Sequence, residues 1–566
     1  MSSLPDPDVR ELAERLGRSE ASVREEVRAG LREIAAHHSS APMATWRSLG
    51  RRLLRGYQTC ADNTTLAELR RLDDDHTLVW LPSHRSYLDT WALPLALDAA
   101  GFPPYFVFGG ANLDFWPFGD LARRTGLVFI RRNAQSDPVY RFALRKYIAH
   151  LVREHADFGW SIEGGRTRTG KLRPPRYGLL RYLSDVVREE DHEDVLLVPT
   201  SIVWDGLQEV PMMVAEARGQ SKRPEDLRWL FEFGRRQRVA QGRVHIDFAE
   251  PVPLARKLRE LESGPEAGGH GVERVALQVS HRINSVTPAT TAAIVTVALL
   301  AADRALSTAE LVGRIAPLIA YIDQRQAPRA PRKPPDHFAR VEEALRELAR
   351  AGAATCVRGR STVWAIGADQ HLVAAFYRNT IAHLLVTRAI AELVAGKVGS
   401  EEAPDALEQG LEEALRLRDL LKFEFFFARK RDFVQEVRQE VALLRELPEP
   451  LTAPLILRPF LEAYNVVADE LAARDPAVGI DTDEFLKACL ALGRQWQAQR
   501  YVASLESVSL ELFRTALKLA RHRRLWEAGE PGLGERRRAF RDELRETLAA
   551  INALAAASDG RSGTWR

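Results

Sequence analysis

Cysteine is nearly absent from this sequence: Cys60, Cys356 and Cys489 are the three among 566 residues, far apart and odd in number. With no Cys-x-x-Cys pair, neither a disulfide framework nor a structural zinc site is expected. Long apolar runs are also missing. The best, VTPATTAAIVTVALLAA (286–302), is about 17 residues long and holds four threonines and a proline near its start, too short and polar to span a bilayer. The opening MSSLPDPDVRELAERLG has no basic stretch ahead of an apolar core, so no secretory signal is expected and a reducing cytosol fits. No Gly-x-Ser-x-Gly elbow and no reactive-cysteine motif occurs, which removes the usual signatures of a covalent acyl-enzyme. Lysine is scarce against arginine, a ratio that GC-rich codon usage accounts for without function.

What remains is a folded protein's composition, 45% hydrophobic and 28% charged. At roughly 100–200 residues per domain the length implies two to four domains. The formal net charge of +3 conceals a basic island. Between Asp120 and Asp185 fourteen Arg and Lys face six Asp and Glu, a local excess of eight, so the rest of the chain is net acidic. Such an island suits an anionic ligand such as phosphate, coenzyme A or anionic lipid, or a solvated basic face.

Along the chain, residues 1–75 read as a helical region, with apolar residues at three- and four-residue spacing in Val9–Leu16, Glu20–Ala36 and Trp46–Gln58. From 76 to 285 short apolar runs fit buried strands: TLVWLP (77–82), YFVFGG (105–110), GLVFIRR (126–132), GWSIEGG (159–165), VLLVPTSIVW (195–204) and VHIDFAEPVP (244–253). Helix-like stretches such as Tyr140–Glu154 separate several of them, so this block is expected to be α/β, a sheet covered by helices. A large helical domain is expected over 286–557, with a Pro-rich basic linker or loop at 326–338 and a disordered tail at 558–566.

Three constellations carry chemistry. His84-Arg85-Ser86-Tyr87-Leu88-Asp89 follows the strand-like VWLP. A neutral histidine there can act as general base on an alcohol while a carboxylate fixes its tautomer. Residues five apart point to different faces of a regular helix, so direct contact requires a turn between them. One such His-x4-Asp is expected by chance, and a satisfied loop histidine is its bland alternative. In Glu163-Gly164-Gly165-Arg166-Thr167-Arg168-Thr169-Gly170-Lys171, glycines let backbone N–H groups approach an anion that Arg166, Arg168 and Lys171 would neutralise. It is no nucleotide P-loop: Leu172 stands where Ser or Thr would bind magnesium, and Pro174-Pro175 block the helix that should follow. The third, Gly126–Arg132, is a strand whose end can place Arg131 in the crevice where open α/β sheets bind ligands.

In this order the pieces resemble the glycerol-3-phosphate acyltransferase family, specifically its long bacterial membrane-associated 1-O-acyltransferases and the related dihydroxyacetone-phosphate acyltransferases. The matching segments are LPSHRSYLD (81–89), GGANLDFWPFG (109–119), RRTGLVFIRR (123–132), EGGRTRTGK (163–171), LLVPTSIVWD (196–205) and DFAEPVPL (247–254). HRINSVTP (281–288), FYRNTIAH (376–383) and KFEFFFARKRDF (422–433) extend the match through the helical region. The resemblance implies transfer of a fatty acyl group from a coenzyme A or acyl-carrier-protein thioester to the sn-1 hydroxyl of glycerol 3-phosphate, giving lysophosphatidic acid. It makes His84 the base and Asp89 its orienting carboxylate. Arg131, Glu163, Gly164, Arg166 and Arg168 would hold the glycerol phosphate, with Lys171 a further basic position. Val198-Pro199 would help shape the acyl-donor side. No metal and no cofactor beyond the thioester co-substrate is implied. Dihydroxyacetone phosphate as acceptor is the alternative.

A hydrophobic product implies a membrane lipid surface as partner and a place on the cytoplasmic face of the cell membrane, peripheral or in one leaflet. Phe423, Phe425, Phe426 and Phe427 beside Lys422, Arg429, Lys430 and Arg431 form an interfacial candidate or a core-packing helix. The apolar Trp91–Phe108 stretch is a second candidate or core. No nucleic-acid partner is expected. LAERLGRSEASVREEVRAGLREI (12–34) has the form of a helix-turn-helix, but residues 1–40 hold eight acids against six arginines, the wrong sign for DNA. A helical cap on the enzyme is expected instead.

Overall fold

The computed structural model describes residues 6–110, 118–131, 136–189, 192, 194–217, 242–263, 269–302, 304–330, 337–398, 404–446 and 452–562. The chain forms two compact units. The first comprises Met1–Arg166, Pro175–Ile202 and Arg223–Val286; the second comprises Thr167–Pro174, Val203–Lys222 and Thr287–Arg566.

The first unit is built on an eight-stranded sheet: β1 (Tyr57–Ala61), β2 (Thr77–Pro82), β3 (Phe106–Gly110), β4 (Leu127–Ile130), β5 (Phe158–Gly159), β6 (Val195–Trp204), β7 (Gly242–Phe248) and β8 (Val252–Pro253). The strand order is β1-β7-β6-β2-β5-β3-β4, with β8 antiparallel on β6. β2 pairs parallel with both β5 and β6, and β3 parallel with both β5 and β4. β6 is buried at all ten positions and β2 at five of six. Continuous apolar runs of this kind belong to parallel strands covered on both faces. The helices are α1 (Asp6–Leu16), α2 (Glu20–Ile34), α3 (Ser40–Leu53), α4 (Asn63–Leu72), α5 (Asp89–Ala99), α6 (Phe118–Arg123), α7 (Pro138–Arg153) and α8 (Gly178–Glu189). The fold class is thus α/β, as expected.

The first 75 residues are not purely helical. β1 pairs parallel with β7 from Tyr57↔Gly242 to Ala61↔Ile246, so this stretch contributes a strand to the sheet. Its burial alternates poorly because it lies at a sheet edge, which leaves a weak sequence pattern. α1 and α2 meet at Gly17, whose φ of +64° suits a residue without a Cβ. α2 turns Val23, Val27, Leu31 and Ile34 inward, and a Cβ at Gly30 would lie 3.2 Å from Ala143 Cβ on α7. This pair is therefore a cap packed on the α/β unit.

Beneath β2 lies a buried carboxyl pair. Asp157, just before β5, accepts hydrogen bonds from Leu78 N at 2.8 Å and Trp80 Nε1 at 3.4 Å. Burial, then the charge of Asp73, pushes its carboxyl up to about 8. The folded protein therefore holds a proton that the unfolded chain releases near pH 4. Its contribution to stability is complete below pH 4 and is lost as the pH rises through about 8. Asp73→Asn supplies a permanent N–H donor to Asp157, so its Tm should fall less than the wild type's between pH 5 and pH 8.5. Parallel melting curves in scanning calorimetry would argue that the two carboxyls share no proton.

The second unit is mainly helical and includes a small three-stranded sheet. Helix Thr291–Leu300 is followed by strand Leu306–Ser307, helices Thr308–Gln324 and His337–Arg350, and the hairpin Thr355–Arg358/Thr362–Ala365. The strand Thr362–Ala365 is central in that sheet. This element order and strand order are those of a winged helix. On helix His337–Arg350, Glu343 pairs with Arg340 and Glu342 with Arg346, which balances its charge rather than presenting a cationic face. The apolar run at 286–302 becomes the ten-residue buried helix Thr291–Leu300. No helix among the described residues is long and apolar enough to cross a membrane. Within the expected linker, residues 331–336 lie outside the described residues, and so do 563–566 of the expected tail; helix Leu533–Ser562 takes in the tail's first five positions.

Candidate active site

β5, β2 and β6 are adjacent and run parallel, so their carboxyl ends share one edge of the sheet. Open α/β sheets bind ligands at that edge. β2 ends at Pro82 and delivers Ser83 and His84 there. Ser83 is fixed to β6: its N–H donates to Thr200 O at 2.9 Å and its Oγ accepts from Ile202 N at 2.9 Å.

The turn that joins His84 to Asp89 comes from the start of α5. Ser86 Oγ accepts from Leu88 N at 3.0 Å, and Asp89 Oδ2 accepts from Ser86 N at 2.9 Å. Together the two bonds close a tight turn over residues 86–89 immediately ahead of α5. Asp89 Oδ2 also accepts from Arg85 N at 2.8 Å and lies 3.0 Å from His84 Nδ1. A carboxylate only accepts, so the ring carries its proton on Nδ1 and leaves Nε2 as the basic atom. The His84 side chain is 27% exposed and that of Asp89 6%. The base can meet a solute while its partner is shielded.

Glu163, buried in the turn after β5, accepts from His84 N at 2.7 Å and so ties this loop to the histidine backbone. Gly164 has φ of +64°, and a Cβ there would stand 2.6 Å from Arg176 Cγ, so a side chain is barred twice. Arg166 lies half-buried, its guanidinium 3.8 Å from the ring centroid of Tyr87. His84, Asp89, Glu163, Gly164 and Arg166 are thus brought onto two adjoining loops of one unit. Arg85, which no motif argument singled out, is 2% exposed behind them.

The other expected phosphate ligands are placed differently. Arg131 follows β4, three strands from β2, roughly 14 Å along the sheet at about 4.8 Å per strand. It donates to Glu33 of α2 through Nε at 2.8 Å, to Asp137 at 3.3 Å, and stacks 4.6 Å over Tyr140. Arg132 and most of the GGANLDFWPFG segment lie outside the described residues. After Arg166 the chain enters the second unit for eight residues. There Arg168 pairs with Glu216 at 3.1 Å and Arg173 with Glu511 at 3.0 Å. Asn379 Nδ2 donates to Thr169 O at 2.9 Å, and a Cβ at Gly170 would overlap the Phe376 carbonyl. Lys171 is buried: Nζ donates to Glu424 O at 2.7 Å and ion-pairs with the Glu424 carboxylate, beside the rings of Phe425 and Phe460.

That pair decides between the two readings of KFEFFFARK. The segment is an irregular connection, not a helix, and none of its four phenylalanines is exposed. Phe425 packs on Phe460 at 5.1 Å and Phe427 on Phe433 at 5.3 Å, so the aromatics build the core that holds Glu424. The Trp91–Phe108 stretch is also largely core. Trp91, Leu93, Leu97, Phe102, Tyr105 and Phe108 are each at most 8% exposed. Val198 and Pro199 lie in mid-strand opposite Trp80 and Leu81.

An open groove starts one residue beyond Asp89. Thr90, Trp91, Pro94 and Leu95 of α5 form one wall, Met43 and Trp46 of α3 another, and its free space is about 630 Å³, solvent included. Trp46 and Trp91 meet at 4.9 Å between centroids, and Arg47 pairs with Asp98 at the rim at 2.6 Å. Among the described residues no group of three or more His, Cys, Asp or Glu side chains is placed to hold a metal ion.

Comparison with known proteins bears on the family of the chain. Residues 63–203 match the family model described as Acyltransferase, and residues 213–528 match that of the glycerol-3-phosphate acyltransferase C-terminal region. Proteins of Mycobacterium tuberculosis and Mycobacterium bovis named "Putative acyltransferase plsB1" are 45% identical over 572 residues, covering 97% of this chain and 92% of theirs. A crystal structure of the 1-acyl-sn-glycerophosphate acyltransferase PlsC from Thermotoga maritima aligns with 42% of this chain and 77% of that one. Its identity is 16% and its TM-score 0.27, too low to carry a structural argument. The length and identity of the full-chain matches, with the two family regions side by side, establish that this chain is an acyltransferase of the glycerol-3-phosphate acyltransferase family.

Proposed function

We propose that this protein is a glycerol-3-phosphate 1-O-acyltransferase, using an acyl-coenzyme A or acyl-carrier-protein thioester as donor. The observation that carries this reading is the His84–Asp89 pair at the sheet edge, with Nδ1 on the carboxylate and Nε2 basic. Nε2 takes the proton of the sn-1 hydroxyl as its oxygen attacks the thioester carbonyl carbon. The tetrahedral intermediate then expels the thiolate, which recovers the proton from His84. Asp89 stabilises the imidazolium in between. Arg166, beside the Gly164–Gly165 turn, receives the phosphate, and stacking on Tyr87 fixes the plane of the guanidinium. The groove along α5, lined mainly by apolar side chains, receives the acyl chain.

The test is thiol release from palmitoyl-coenzyme A, with glycerol 3-phosphate and dihydroxyacetone phosphate as separate acceptors. Release with glycerol 3-phosphate supports the reading; preference for dihydroxyacetone phosphate replaces it with the ketone acceptor. Arg166→Ala should raise KM for glycerol 3-phosphate by about 10- to 100-fold, the range lost with a charged hydrogen bond, while Tm holds. An unchanged KM removes Arg166 from the phosphate site. The lipid product calls for peripheral docking on the cytoplasmic face of the membrane. In a flotation assay the protein should rise with vesicles containing anionic lipid, and protein left wholly at the bottom argues against docking.

A further inference from the structure

Arg85 is a fully enclosed arginine inside the catalytic loop, and the proposed reaction gives it no task. Its backbone N–H serves Asp89, and its side chain reaches the end of β6. NH1 donates to Ser83 Oγ at 2.6 Å and to Ile202 O, near the end of β6, at 2.7 Å. The charged groups acting on it are Glu163 and Asp89. Of the neighbouring titratable and cationic groups, His84 bears on Asp89 and Arg166 on Tyr87. Two buried carboxylates and one buried guanidinium therefore share the space under His84.

An arginine is an expensive way to fill a core, because a buried cation is tolerated only where anions compensate it. The converse also holds. Asp89 and Glu163 are 8% and 1% exposed and accept from the adjacent backbone N–H groups of Arg85 and His84, and two buried ionised carboxylates on one loop raise each other's proton affinity unless a cation compensates them. Both must stay unprotonated for the loop to work: Asp89 to accept Nδ1–H and two backbone N–H groups, Glu163 to accept His84 N.

We propose that Arg85 is a positioning residue of the active site, anchoring the His84–Asp89 loop to β6 and supplying the buried positive charge that keeps Asp89 and Glu163 ionised together. It touches no reacting atom. Its charge acts on catalysis through the carboxylates, and its anchor through Ser83 and Ile202. Removing the cation raises the proton affinity of both carboxylates and of His84, whereas removing the anchor alone moves neither.

The two roles separate in a variant set. Arg85→Met removes charge and anchor, Arg85→Lys keeps the charge, and Ser83→Ala loosens the anchor alone. The first readout is Tm against pH, which needs no substrate. Unpaired carboxylates take up protons in the folded state, so the Tm deficit of Arg85→Met should widen by about 3 °C or more from pH 5 to pH 8. The deficits of Arg85→Lys and Ser83→Ala should stay constant over that range. The second readout is kcat against pH with whichever acceptor the wild type turns over. Arg85→Met should lose about a hundredfold in kcat, its acidic limb should shift up by about one pH unit, and KM should move less than threefold. Arg85→Lys should restore the wild-type midpoint.

A pH-independent Tm deficit in Arg85→Met, or an Arg85→Lys midpoint equal to that of Arg85→Met, overturns the charge role. If Arg85→Met does not fold, Arg85→Met with Glu163→Gln removes one surplus charge and should recover a folded protein at pH 8. Failure of that pair to fold also counts against the proposal. The inference rests on the acyltransferase reading only for its kinetic arm. A wild type inactive on both acceptors refutes the reading, while the Tm arm still decides the role of Arg85.

Discussion

His84→Ala is expected to lose at least a thousandfold in kcat while its Tm stays within about 1 °C of the wild type. The imidazole is 27% exposed and makes one side-chain hydrogen bond, so truncation removes little packing. It removes the basic Nε2, and general-base catalysis is worth about 10²–10⁴-fold. Asp89→Asn sharpens the test. Oδ2 accepts from His84 Nδ1, Arg85 N and Ser86 N together, so an asparagine oxygen in its place keeps all three bonds and the turn. The ring keeps its proton on Nδ1, and what is lost is the negative charge that stabilises the imidazolium. A neutral oxygen stabilises the imidazolium less than a carboxylate does, so a loss of about 10- to 100-fold in kcat is expected. Circular dichroism melts with thiol release measure both. A folded His84→Ala protein with normal turnover would refute the base assignment.

The second large effect concerns Lys171, and it is an effect on stability. Its ammonium and the Glu424 carboxylate are 11% and 1% exposed, with Tyr464 OH donating to Glu424 at 3.3 Å. Burial pushes the Glu424 carboxyl up while Lys171 pulls it back. Removing one member of a buried pair strands the other, at about 3–5 kcal/mol. Glu424→Ala should therefore lower Tm by on the order of 10 °C. Lys171→Met with Glu424→Leu should recover most of that, since apolar replacement of a whole buried pair is nearly neutral. Lys171→Met alone should cost stability and leave KM for glycerol 3-phosphate within about threefold once assayed well below its Tm. A tenfold rise in KM at unchanged Tm would return Lys171 to the phosphate site.

The two cases divide what local sequence can and cannot specify. TLVWLP and VLLVPTSIVW are β2 and β6 to the residue, because a parallel strand covered on both faces needs a continuous apolar run and leaves that run in the sequence. GWSIEGG reads equally well, yet the strand is only Phe158–Gly159. A Cβ at Gly159 would run into the Trp80 carbonyl, and the chain then turns so that Glu163 reaches His84 N. The His84–Asp89 contact was legible as a requirement for a turn, since five residues on a helix do not meet. Ser86, three before Asp89, was the signal that such a turn exists, and Arg85 beside it gave none.

The sequence by itself determined the α/β sheet, the family and the local segments that carry His84, Asp89, Glu163 and Arg166, because these rest on apolar periodicity, turn chemistry and motifs spanning a few residues. Tertiary structure decided which cations of the basic island are already engaged. Arg131 is neutralised by Glu33, 98 residues away, and Lys171 by Glu424, 253 residues away. An arginine that will meet phosphate and one that will meet a carboxylate look the same in the chain, since both need only an anion. Folding alone chooses the anion, by bringing distant carboxylates within reach: at the half-exposed surface for Arg131, and in the dry interior, where pairing is compulsory, for Lys171.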